Sequence, residues 1–272
     1  MKISQPATIL AYLPLYIAIK GTGHEIVTYD SPKNAIEATV KGETDISIGD
    51  PFMFDYMDYE KVVIFAGFAK GVFHSLVTFD PFIKEASKKD LQGKTIVAYP
   101  EPSTSFFLCK RLKEGYLLDS IIQTPFNTEL GPLLTQEADL AIVLEPNTTY
   151  ALKNGAKELI DFSKEKAVMT GFCTTKKYLA KNKKELREFL ALMKKGFGIF
   201  QADEKLTLET AKKYFPLVNE KILAEAINKI RNAGIYCLDF KFSEKEIVEG
   251  MKMRQIILPL QKVKKFIVTP FI

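Results

Sequence analysis

Up to about residue 175, short runs of aliphatic and β-branched residues alternate with stretches whose apolar positions recur every three or four residues. The first pattern predicts buried strands and the second amphipathic helices. Strands are expected at residues 2–5, 24–29, 45–48, 62–68 and 74–79, and helices at 8–20, 31–42 and 52–57. Ser31 suits an N-cap and Pro32 the first helical turn, while Gly21 and Gly42 are stop signals. The grammar restarts after the polar stretch 84–92. Strands at 94–98, 121–124 and 139–144 enclose helices at 103–114 and 130–136, and residues 169–174 read as an extended crossing back. From Asn182 the spacing is helical almost throughout. Asn182 with Glu185 and Ser243 with Glu246 have capping-box spacing, and Leu186, Phe189, Leu190, Met193 and Phe197 share one helix face. Thr207 opens a helix ended by Pro216, and Asn219 opens another stopped by Gly234. Alternating strands and helices predict an α/β chain with mainly parallel sheets. Two copies followed by a helical tail predict two lobes, residues 1–91 plus 189–272 and an inserted 92–188.

One stretch is said nearly twice. Glu43-Thr-Asp-Ile-Ser-Ile-Gly-Asp-Pro51 is echoed by Glu137-Ala-Asp-Leu-Ala-Ile-Val-Leu-Glu-Pro146: an acid opens each, an apolar run follows, and an acid-Pro pair closes it. Proline cannot donate to a ladder, so each run reads as a strand with its acid, Asp50 or Glu145, at the carboxyl end. In open α/β sheets that end faces the crevice where ligands bind. The two acids are therefore either aimed at one shared cleft or serve as caps for the helices that follow. Pro102-Ser-Thr-Ser105 before Phe106 gathers hydroxyls and free N–H groups at a helix start, which suits an anion as well as an ordinary cap. Tyr12, Tyr16, Phe52, Phe54 and Tyr56 flank the strand ends of the first lobe, where they could stack on a flat ligand or fill the core.

Composition narrows the function classes. The 272 residues are 47% hydrophobic, enough for a substantial core, and 38 basic against 33 acidic residues leave a net charge of +5. The lysines are scattered over the chain, which describes a solvated surface and not a nucleic-acid stripe. Cys109, Cys173 and Cys237 lie far apart and read as buried free thiols. The two histidines, His24 and His74, have no ligand-spaced partners, so no metal is expected. The uncharged stretch between Lys2 and Lys20 imitates a signal peptide, but Pro6, Pro14 and its polar first half argue against one. The expected location is the cytoplasm, or the periplasm or a lipid-anchored extracellular position if an export signal has been removed.

Several segments together resemble the solute-binding proteins of ABC importers for nitrate, sulfonates, taurine and thiamine-precursor pyrimidines, a family that also contains the yeast-type pyrimidine synthase. They are Leu13-Pro-Leu-Tyr-Ile-Ala-Ile-Lys20, residues 35–50, Leu91-Gln-Gly-Lys-Thr-Ile96 with Pro102-Ser-Thr104, Ala138-Asp-Leu-Ala141 with Glu145-Pro146, and residues 175–190. One departure is a shortened first loop, of which Gly21-Thr-Gly-His24 remains. The resemblance implies a periplasmic-binding-protein type 2 fold with a ligand cleft between hinged lobes, a small-molecule ligand, an ABC permease as partner, and a monomer without cofactor. The ligand contacts expected are Tyr12, Leu13, Pro14, Gly49, Asp50, Phe52, Ser103, Thr104, Ser105 and Glu145.

The enzyme alternative needs a lysine for pyridoxal phosphate, a nearby histidine and a cysteine-rich segment. This chain has Gly49-Asp50 where the lysine would be and Met53 and Phe54 where the histidine would follow, with Cys173 alone in Thr170-Gly-Phe-Cys-Thr174. Binding without chemistry is the expectation. Two bare acids in a cleft would repel an oxyanion, and none of the four arginines (Arg111, Arg187, Arg231, Arg254) falls in an expected cleft segment. A flat amino-bearing heterocycle such as a thiamine-type pyrimidine is therefore ranked above a sulfonate.

Overall fold

The fold was obtained as a computed structural model, which describes residues 1–52 and 61–268. Two five-stranded sheets form the framework. The first has the order β2-β1-β3-β10-β4 and the second β7-β6-β8-β5-β9. The first comprises β1 (Lys2–Gln5), β2 (Glu25–Thr28), β3 (Ile46–Gly49), β4 (Val62–Ala69) and β10 (Thr170–Thr175). The second comprises β5 (His74–Thr78), β6 (Thr95–Ala98), β7 (Ser120–Gln123), β8 (Leu140–Leu144) and β9 (Lys157–Asp161).

Each sheet is mixed where mainly parallel ones were expected. β1 pairs in parallel with β2 and β3, but β10 runs antiparallel to both β3 and β4. The second sheet repeats this: β6 is parallel to β7 and β8, and β5 is antiparallel to β8 and β9. The cause is the pair of crossings. β5 enters the second sheet straight from β4, and β10 returns to the first sheet after β9, so each arrives against the grain of its hosts. Residues 74–78, expected with the first lobe, thus hydrogen-bond in the second sheet, and residues 170–175, expected with the second, lie in the first. Sheet membership puts the crossings near residues 70 and 165, each roughly twenty residues before the expected limits of 92 and 188.

Burial explains which strands are apolar throughout. β4 and β8 are buried at every position, because helices cover both faces of their sheets. On one face of the first sheet, Ile3, Ile46, Phe65, Phe68 and Phe172 pack with α1 (Leu13–Ala18), α8 (Lys183–Ala202), α9 (Glu204–Tyr214) and α10 (Glu220–Ala233). On the other, Val62, Ile64 and Cys173 meet Ile36 of α2 (Pro32–Lys41), Ile247 and Met251 of α11 (Glu244–Met253), and Val263 of α12 (Leu260–Lys264). The helical tail is therefore the first lobe's cladding. The second lobe buries Leu76, Ile96, Leu108 and Leu140 on one side and Val77, Val97, Ala141 and Val143 on the other. Among the described residues no helix is long and apolar enough to cross a membrane.

Local signals are followed with two exceptions. Ser31, Ser103 and Ser243 accept hydrogen bonds as N-caps, and Ser243 with Glu246 completes a capping box. Asn182 makes no cap: its amide donates to the Tyr178 carbonyl, and Glu185 accepts from the Tyr178 hydroxyl instead. The 204–214 helix is capped by Asp203, which leaves Thr207 buried inside it. Of the helix expected at 52–57, only Phe52 lies among the described residues, where it is in a turn.

Candidate functional site

Strands β1, β3, β6 and β8 all end facing a narrow cavity between the sheets, lined by Tyr12 and Asp50 from the first lobe and by His74, Tyr99, Phe126 and Leu144 from the second. The start of α4 (Thr104–Tyr116) adds Ser103, Thr104 and Ser105. This is where an α/β crevice is expected from strand polarity alone. The cavity holds about 50 Å³, room for roughly three or four waters. A ligand larger than that enters only when the lobes part. Wider depressions of about 550 and 350 Å³ lie elsewhere, one lined by Thr39, Lys176 and Tyr178, the other by Asn127, Tyr150 and Leu217. They lack the convergence of buried polar groups on strand ends that marks the narrow one.

Helix α4 begins here because Ser103 caps it. The Ser103 hydroxyl accepts from Phe106 N at 3.2 Å and donates to the Tyr99 carbonyl at 3.2 Å. The Ser105 hydroxyl accepts from Tyr99 N at 3.2 Å, so two serines brace the turn out of β6. The amides of Thr104 and Ser105 are first-turn donors that the helix cannot satisfy, and with the helix dipole they favour an acceptor or anion.

Asp50 is held by partners on both sides of the cleft. Its Oδ1 accepts from Phe52 N at 2.8 Å. Its Oδ2 accepts from Thr104 Oγ1 at 3.1 Å and from Arg254 Nε at 2.7 Å, with Arg254 Nη2 at 2.6 Å from the same oxygen. Arg254 is fully buried; it also donates to the Gly250 carbonyl at 3.0 Å and lies 5.2 Å from the centre of the Phe52 ring. The expectation that no arginine reaches the cleft is therefore wrong. Arg254 follows α11 in sequence, but α11 packs on the face of the first sheet that carries Val62, Ile64 and Cys173, and the guanidinium reaches the end of β3.

Glu145 turns away from the cavity. Its Oε2 accepts from Thr149 N at 3.1 Å at the start of α6 (Asn147–Lys153), and Oε1 lies 3.6 Å from Lys229 Nζ on α10. Burial raises its carboxyl above the ordinary range against the opposing effect of those two partners. The two echoed acids are thus both cross-lobe ties, on opposite sides of the cleft. Leu13 and Pro14 open α1 and pack inward, Pro14 O lying where a Cβ on Gly196 of α8 would stand. Gly49 ends β3 opposite Gly171. Phe52 packs against Gly250 and under Arg254, and Tyr16 is buried with its hydroxyl on Gln5. Met53, Phe54 and Tyr56 lie outside the described residues.

His74, Tyr99 and Phe126 are among the wall residues that were not anticipated. His74, the first residue of β5, is 5% exposed and stacks on Phe73 with ring centres 5.6 Å apart. Burial, reinforced by the Arg254 charge, pushes its imidazole down to about 3, so it is neutral. Tyr99 stacks on Phe126 at 4.4 Å and donates to Oε1 of the fully buried Glu129 at 2.6 Å. Asn147 donates to the same oxygen at 2.9 Å, and burial raises the Glu129 carboxyl. No periodic signal marks any of them. The one available hint for His74 is the scarcity of histidine in the chain.

Comparison with solved structures places the architecture. The alkanesulfonate-binding protein SsuA from Xanthomonas axonopodis pv. citri, bound to MOPS, superposes with a TM-score of 0.73 at 11% identity, covering 100% of this chain and 96% of that one. SsuA from Escherichia coli, described as a periplasmic aliphatic sulphonate binding protein, gives 0.72 at 14% identity, covering 100% and 90%. A Candida albicans gene product described as having the generic periplasmic binding protein fold gives 0.71 at 12%, covering 97% and 94%. At such identities the likeness shows the fold, which is that of the two-lobed periplasmic binding proteins. No sequence among curated proteins matches. The profile of the family described as NMT1/THI5 like matches residues 21–204. With that match spanning most of its length, the chain belongs to the NMT1/THI5-like family.

Proposed function

We propose that this protein is a solute-binding protein that closes its two lobes over a small molecule and delivers it to a membrane permease of the ABC type, outside the cytoplasmic membrane. The observation that carries this reading is the cavity at the carboxyl ends of strands from both sheets, where Asp50, Thr104, Tyr12 and His74 converge from opposite lobes. Hinge closure about two crossings is the motion such a cleft uses. Binding without chemistry is favoured by the cavity's contents. Its described lining contains no lysine or cysteine, and Cys173 is sealed in the first sheet with its thiol pushed up to about 12 by burial.

The ligand we favour is small and flat, with an acceptor or anionic group seated on the start of α4 and a ring between Tyr12, Phe73, Tyr99 and Phe126. A thiamine-type aminopyrimidine meets both requirements. The earlier objection to a sulfonate or nitrate is weaker than the sequence suggested, because Arg254 neutralises Asp50 and Glu145 faces Lys229. Those anions remain the second reading, favoured by the free amides of Thr104 and Ser105. A thermal-shift screen of aminopyrimidines, alkanesulfonates, taurine, nitrate and amino acids tests both, since a true ligand raises Tm with the logarithm of its concentration. Stabilisation by a sulfonate and by no heterocycle reverses the ranking. A borohydride-reducible lysine adduct with pyridoxal phosphate would instead point to the synthase chemistry known in this family.

A further inference from the structure

We propose that His74 selects the ligand: its ring forms a hydrogen bond with a donor group on the molecule bound in the cavity that the start of α4 also lines. The inference rests on the solute-binding reading above and adds to it the residue and the ligand chemistry.

The argument begins with what His74 lacks. Its Nδ1 is buried without a hydrogen-bond partner. Other buried polar atoms are orphaned too, on Ser47, Thr124, Glu129, Thr149, Thr207 and Arg231, but none of those residues lines the cavity. Several other polar side chains of the wall are satisfied within the protein: Asp50 by Phe52, Thr104 and Arg254, Ser103 and Ser105 by the β6–α4 turn, and Tyr99 by Glu129. A buried polar group left unpaired destabilises the fold, and among the described residues His74 is the one such group that lines the cavity, where a bound molecule can supply the partner.

Position supports the same conclusion. β5 follows directly on the crossing from β4, and His74 pairs in register with Leu144, whose strand end also lines the cavity. Stacking on Phe73 fixes the ring plane, so the nitrogens present a set direction to whatever occupies the space. The same wall offers donors, the first-turn amides of Thr104 and Ser105, which serve the ligand's acceptors. Of the nearby carboxylate, Asp50 Oδ2 is already taken by Thr104 and Arg254 and Oδ1 accepts from Phe52 N, which leaves Asp50 less free than His74 to meet a ligand's donors. A neutral imidazole has one lone pair for them. The wall therefore complements a molecule that carries an amino or hydroxyl group beside an acceptor, and that is neutral or singly negative, since Arg254 and Asp50 cancel and the imidazole is uncharged.

Paired probes differing only in the donor provide the test: 4-aminopyrimidine against pyrimidine, and 2-hydroxyethanesulfonate against ethanesulfonate. Calorimetric binding and Tm are measured for the wild type, His74→Leu and His74→Asn. The expected result is that a donor-bearing probe binds the wild type better than its partner. His74→Leu then weakens that probe about tenfold, the worth of one neutral hydrogen bond, while raising the Tm of the unliganded protein. His74→Asn recovers part of the affinity. Equal binding of a probe by wild type and His74→Leu overturns the proposal and leaves solute binding standing. A lower unliganded Tm with unchanged binding assigns His74 a purely structural role and overturns it likewise. If no member of the panel or of the wider screen above binds the wild type, the solute-binding reading falls and this inference with it.

Discussion

His74 titrates across a window set by the gap between its folded and unfolded states. The unfolded imidazole takes up a proton near pH 6.5, while the native one, buried beside Arg254, resists until about pH 3. Its contribution to stability is therefore complete above pH 6.5 and is lost as pH falls toward 3, at up to ~1.4 kcal/mol per unit. Glu129 and Glu145, raised by burial, act in the opposite sense and gain stability as pH falls through the carboxylate range. They are common to wild type and His74→Leu, so the difference between the two isolates the imidazole. Urea unfolding at pH 7 and pH 5 should show the wild type losing roughly 2 kcal/mol more than His74→Leu; parallel profiles would refute the assignment. Asp50 makes a related point about legibility. Its place at a strand end was readable because Pro51 closes the run, but its partner stands 204 positions away. A pairing between distant segments leaves no periodic trace, so Arg254 was passed over and Asp50 was read as a bare charge.

At the level of elements, the sequence is most informative where local chemistry decides alone. Ser31, Ser103, Asn219 and Ser243 cap the helices they precede, because nothing nearby competes for their side chains. At Asn182 the preceding helix, Lys176–Lys181, runs up to the junction and Tyr178 takes both members of the expected box. β9 was missed because it is an edge strand. Lys157, Glu158 and Asp161 are exposed or half-exposed, leaving Leu159 and Ile160 as its whole apolar signal. Close packing of elements is also invisible in a pattern of apolar positions. Gly196 lets α8 approach α1 so closely that an added Cβ would stand 2.3 Å from Pro14 O and 2.8 Å from Ala18 Cβ. Gly196→Ala should destabilise by about 1–3 kcal/mol despite its better helix propensity, read from the urea midpoint. An unchanged or raised midpoint would show that the two helices slide apart freely.

Across the whole molecule the buried Asp50–Arg254 pair joins three parts of the chain: the end of β3, the start of α4 through Thr104, and the segment after α11. Removing one charge strands the other away from water, so Arg254→Met or Asp50→Asn alone should destabilise by about 3–5 kcal/mol, and the double substitution by clearly less than the sum. Additive losses in that cycle would mean the two groups are not coupled. The two-lobed plan was legible from the repeated grammar, while the crossings were misplaced because each host sheet receives an antiparallel visitor that looks, in sequence, like one more strand of the preceding unit.

That topology also orders the protein's birth. β5 to β9 come from one continuous stretch, residues 74–161, so the second lobe can assemble while the ribosome is still adding chain. The first lobe cannot, since β10 and the helices that clad it are translated afterwards, and the guanidinium that neutralises Asp50 comes later still. On the solute-binding reading, nascent chains are thus blind to a ligand for most of synthesis. Solute added to a translating extract should leave the yield of folded protein unchanged until residue 254 has emerged.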